Sequence, residues 1–155
     1  MQEQAPKPRK PKHPAMIYLH SYVAMKIRRD DLKEELLMIR ENATRATSRY
    51  TAERMSGTGK KDGMANAAIK AVEVEERLVR TIADIENALN IRLWIIEQMQ
   101  EEWEKVILTE RYINGREWDN ILKRIPFERT AMFELHGRAL QHFWEICIKQ
   151  TERAD

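Results

Sequence analysis

Directly behind Pro126-Phe127, the run from Glu128 to Ile148 has helical periodicity. It carries Met132, Leu135, Ala139 and Leu140 on one side and Arg129, Thr130, Ala131, Phe133, Glu134 and Arg138 on the other. That arrangement suits the second helix of a helix-turn-helix, whose first turns enter the major groove of DNA. Arginine pairs with guanine edges, and threonine offers a hydroxyl or a methyl group to a base. Arg129 and Thr130 are therefore the candidate base readers, and Ala131, Phe133, Glu134 and Arg138 share their face. Arg116, Lys123 and Arg124 fall on the flank where backbone phosphates would pass.

Other chemistry finds little support. Gly57-Thr58-Gly59-Lys60-Lys61 lacks the spacing of a phosphate-binding loop and has no strand before it. His136, His142 and Cys147 are spaced onto different faces of a helix and match no metal motif. Glu34-Glu35 and Glu101-Glu102 sit among Lys and Arg, as solvated helix faces do. No Gly-x-Ser-x-Gly and no Cys/His arrangement with an orienting group occurs. The expectation is no enzymatic activity, no metal and no cofactor.

Three short helices must position the candidate readers: Trp103–Ile113, closed by Asn114-Gly115; Glu117–Ile125, stopped by Pro126; and Glu128–Ile148. Val106, Ile107 and Tyr112 give the first an apolar face, and Trp118, Ile121 and Leu122 give the second one. Trp118 and Trp144 are assigned to the core of this unit. Before it lie two narrow apolar seams. The first is Tyr18, Tyr22, Met25, Leu32, Leu36, Ile39, Ala43 and Ala46, interrupted by Arg29. The second is Ala68, Ala71, Leu78, Ile82, Ile85, Leu89, Ile96 and Met99, interrupted by Glu75 and Arg92. Helices this long and one-sided need a partner, so the pair folds back as an antiparallel hairpin. Thr47–Gly63, with two serines and three glycines, reads as the loop between them. One seam leaves Trp94 and Ile95 uncovered, which predicts a homo-oligomer; Trp94 and Trp103 could instead seal the joint between the two parts. The predicted fold is all-α: a basic arm (1–14), a long helical hairpin (15–100) and a trihelical helix-turn-helix unit (101–155).

Composition agrees with long helices. Charged residues make up 34 % of the 155, while glycine and proline contribute five each. Four of the prolines fall at positions 6, 8, 11 and 14, so the arm cannot be helical. The net charge of +2 is unevenly spread. The arm has four Lys/Arg against one Glu, whereas residues 101–155 have nine Lys/Arg against eleven Asp/Glu. The arm is thus a source of phosphate or minor-groove contacts, and the tip cations Arg45, Arg49, Arg54, Lys60 and Lys61 are a second one. No apolar run reaches the roughly 20 residues needed to span a bilayer, and no secretory signal is read. A single cysteine suits a reducing cytoplasm.

Leu108, Arg111-Tyr112, Gly115, Trp118-x-x-Ile121 and the closing Leu135-His136-Gly137-Arg138-Ala139-Leu140 resemble the fourth region of bacterial sigma factors. With the Tyr18–Tyr22 helix start and the Ser56-Gly57-Thr58-Gly59 loop, residues 17–144 resemble a family of short phage proteins. These are the sigma-region-four-like transcriptional regulators of the RinA and ArpU type. The resemblance implies sequence-specific binding to double-stranded DNA and control of phage transcription in the bacterial cytoplasm, with RNA polymerase as a further partner. Two alternatives remain open: a small-terminase-like packaging protein, which also joins a helix-turn-helix to an oligomerising hairpin, and a helical adaptor that binds protein and not DNA.

Overall fold

A computed structural model describes residues 12–54 and 61–154. All regular structure among them is helical, as expected: α1 (Pro14–Arg54), α2 (Lys61–Glu97), α3 (Glu102–Leu108) prolonged by a π-helical turn (Thr109–Ile113), α4 (Trp118–Leu122) and α5 (Arg129–Ala154). Proline at the first helical position costs α1 no hydrogen bond. His13 closes that end: its carbonyl accepts from the Met16 N–H at 2.9 Å, and its Nδ1 accepts from the Ala15 N–H at 3.2 Å.

The loop expected from Thr47 is helix as far as Arg54, and α2 starts at Lys61. The hydroxyls of Thr47, Ser48 and Thr51 each donate to the carbonyl four residues back, at 2.9, 3.0 and 2.9 Å. Bonded back to the preceding turn, these hydroxyls do not cap or divert the backbone N–H groups of the helix. The Ser56-Gly57-Thr58-Gly59-Lys60 stretch and the first eleven residues of the basic arm lie outside the described residues.

The chain forms two compact units. Residues 24–91 make one; residues up to Val23 together with Arg92 onward make the other. The division is therefore not at residue 100. The first turns of α1 and the last of α2 belong with the short helices, because their apolar residues share one core.

In the 24–91 unit α1 and α2 run antiparallel, in a register that brings together two exposed ion pairs, Lys33–Glu86 at 2.5 Å and Arg40–Glu75 at 2.7 Å. Glu75, which appeared to interrupt the seam, is a partner across it. Leu36, Leu78 and Ile82 are buried with Leu32, Ile39 and Val74 packed against them. Ala43, Ala46 and Ala68 are exposed, so the seam closes over only part of its expected length. Leu36→Ala and Ile82→Ala should each destabilise the fold by about 2–3 kcal/mol. Thermal melts coinciding with wild type for both would contradict this packing.

The other unit has the larger core. Leu19, Ile95, Ile107, Leu108, Ile121, Met132 and Phe143 are fully buried in it. Ile95 is thus covered, contrary to the expectation that placed it beside Trp94 on an open surface. Ile95 and Ile96 both enter this core, which is broader than a two-helix seam. Trp94 itself is 43 % exposed. Trp118 and Trp144 pack against the core half-buried, while Trp103 meets the ring of Phe127 edge-on at 5.4 Å. Arg92 lies buried within the same unit, donating to the Tyr18 carbonyl and the Ser21 hydroxyl at 3.1 Å each. Its guanidinium stacks 3.9 Å from the Tyr18 ring centroid.

Candidate nucleic-acid interface

A turn and a buried pair position the candidate reading face. After α3 the backbone widens: Asn114 N–H donates to the Thr109 carbonyl and Arg116 N–H to that of Glu110, both at 2.9 Å. Gly115 then takes φ +65°, a left-handed conformation that suits glycine and ends the helix. Arg111 fastens this corner by donating to the Arg116 carbonyl at 2.9 Å while lying 4.8 Å from the Trp118 ring centroid. Tyr112 reaches α5, where its hydroxyl sits 2.8 Å from Nε2 of His136, both side chains buried. Burial, with smaller contributions from Arg111, His20 and His13, lowers the His136 pKa to about 4. Burial raises that of Tyr112 to about 12. The phenol therefore keeps its proton and can donate its O–H to the neutral imidazole. The Trp118 indole meets the His136 ring edge-on at 4.7 Å. Arg111, Tyr112 and His136, three of the residues carrying the resemblance, thus hold α4 and α5 together.

Residues 123–128 make the break between α4 and α5, and the Glu128 carbonyl accepts from the Met132 N–H at 2.9 Å to start α5. Met132, Leu135, Ala139 and Leu140 face inward. Arg129, Thr130, Ala131, Phe133, Glu134 and Arg138 are all exposed, so the six residues share the outer side of α5 as their spacing predicts. Phe133 is 41 % exposed and meets Trp118 edge-on at 5.1 Å.

Carboxylates that spacing did not reveal lie beside these cations. Arg129 pairs with Asp119 of α4. Arg116 and Arg124 converge on Glu110 at 2.7 and 3.1 Å; that carboxylate is itself buried and accepts from Asn114 Nδ2 at 2.9 Å. Glu104 is buried at the root of α3, 2.6 Å from His142 Nδ1 and 3.9 Å from Arg138 Nε. Lys123 is exposed. The surface therefore alternates in sign and is not a uniformly basic patch.

Among the described residues no group of three or more His, Cys, Asp or Glu side chains is placed to hold a metal ion. No described helix is long and apolar enough to cross a membrane. Neither family models, curated proteins nor solved structures yield a match to this chain.

Proposed function

We propose that the chain is a sequence-specific DNA-binding protein of the sigma-region-four-like phage regulator type, acting in the bacterial cytoplasm as a homo-oligomer. RNA polymerase is proposed as its second partner. The observation that carries this reading is the outer face of α5. Arg129, Thr130, Ala131 and Phe133 project from its first two turns, immediately behind a short break, on a helix anchored by a fully buried inner face. That is the presentation a recognition helix needs. The Arg129–Asp119 pair is exposed on both sides, at 59 % and 75 %, so releasing Arg129 to a base costs little.

A second reading, the protein-binding adaptor, is favoured by the carboxylates. Arg116, Arg124 and Arg129 each lie against Glu110 or Asp119, which reduces the charge available to phosphates.

Selection of bound fragments from random DNA, followed by gel shifts on the enriched site, separates the two. Arg129→Ala should weaken binding by about 1–3 kcal/mol and relax preference at one base pair. Lys123→Ala should weaken all sequences alike and reduce the salt slope by about one. Asp119→Ala, which frees Arg129 and removes a negative charge facing the duplex, should tighten binding. No enriched site, or an Arg129→Ala variant that keeps affinity and preference, would move the adaptor reading ahead.

A further inference from the structure

The 24–91 unit buries few apolar side chains between its helices, and one side of it stays open. A groove there is lined by Lys33, Leu37 and Arg40 of α1 and by Val79, Ala83 and Glu86 of α2. Leu37 is 58 % exposed and Val79 42 %. Val79 also lines an adjoining apolar recess with Val72, and Val72 is 55 % exposed. Long helices with so little buried area need more cover than one seam supplies.

Charge indicates what covers this face. The α1 rim of the groove is basic, at Lys33 and Arg40; the α2 rim is predominantly acidic, at Glu86 and, beside the recess, Glu75 and Glu76 together with Arg80. The in-chain pairs Lys33–Glu86 and Arg40–Glu75 put these residues at matching levels along the hairpin, with Leu37 and Val79 between them. We infer that this face pairs with the same face of a second copy, related by a two-fold axis along the hairpin, to form a four-helix bundle.

That axis lays α1 of one copy over α2 of the other at unchanged level. Leu37 of one copy then covers Val79 of the other. Lys33 approaches the second Glu86, and Arg40 approaches the second Glu76. The Lys33 level becomes a ring of four charges of alternating sign, and at the other level each Arg40 lies between Glu75 of its own copy and Glu76 of the second, a network that is worth more than isolated surface pairs. A two-fold axis across the hairpin would instead set Lys33 and Arg40 against their own counterparts, and like charges facing each other are penalised. Self-complementarity of this kind is what an isologous contact requires. The pairing is independent of what α5 touches, so it and the DNA-binding reading can fail separately.

The full chain tests it by multi-angle light scattering at tens of micromolar, a concentration suited to a modest interface. The expected mass is twice the chain's 18.4 kDa, falling to one chain in Val79→Glu with the helical circular dichroism unchanged. Leu37→Cys and Val79→Cys chains, each carrying Cys147→Ser and mixed before treatment with a short bismaleimide, should cross-link mainly to one another. A single-chain mass for the wild type overturns the proposal. So does a Val79→Glu variant of undiminished mass, or cross-linking in which Leu37→Cys pairs chiefly with itself.

Discussion

Taking the protein from pH 7 to pH 4 should remove about 3 kcal/mol of stability through His136 alone. In the unfolded chain this imidazole titrates near its ordinary 6.5, whereas in the fold burial brings it to about 4. Between those values the unfolded state binds a proton that the native state does not, so stability falls as pH falls. The full contribution is present above pH 6.5 and is gone near 4, each unit being worth about 1.4 kcal/mol. His20, also lowered by burial, adds in the same direction. Tyr112 works at the other end: its folded pKa of about 12 lies above the ordinary 10, so stability should decline again as pH rises from 10 to 12. Urea unfolding followed by tryptophan fluorescence at a series of pH values reads both limbs. His136→Gln should lower stability at pH 7 and flatten the acid limb. Acid limbs of equal slope in variant and wild type would mean that another group controls it.

The same pair shows what the sequence could and could not reveal. Periodicity marked Met132, Leu135, Ala139 and Leu140 as one face of α5, and all four are buried. It also marked the core residues Leu36, Leu78 and Ile82 of the hairpin. These contacts repeat at helical spacing, so the spacing reports them. His136 follows Leu135 directly, and its spacing gave no sign of burial; its partner is Tyr112, 24 residues away. Glu110 with Arg116 and Arg124, and Asp119 with Arg129, are likewise brought together by the turns around α4, and no helical repeat encodes them. Arg92 interrupted a seam because it serves a different core, against Tyr18. Ala15 and Leu19, both fully buried, were not among the seam residues read from Tyr18 onward and belong to that same core. The outer side of α5 was legible because exposure there follows from what the inner side buries. The partners of its arginines were not, since they are set by three-dimensional turns.

Two phenylalanines on α5 separate packing from recognition. Phe143 is fully buried, with its ring centroid 6.1 Å from that of Tyr18 in the largest apolar cluster. Truncating it removes most of a ring's transfer free energy and leaves a cavity that the surrounding Ile, Leu and Met side chains only partly fill. Phe143→Ala should therefore destabilise the protein by about 3–5 kcal/mol. Phe133, ten residues earlier, keeps 41 % of its surface exposed and touches Trp118 by its edge. Phe133→Ala forfeits one tilted aromatic contact, worth about 1 kcal/mol, and leaves no cavity. Urea midpoints should thus fall steeply for the first variant and slightly for the second. If α5 reads DNA as proposed, the order should reverse in gel shifts on a selected site: at a temperature where both variants are folded, Phe133→Ala weakens binding and Phe143→Ala does not. A Phe143→Ala protein as stable as wild type would mean that α5 does not rest on this core, and the outward placement of Arg129 and Thr130 would lose its footing with it.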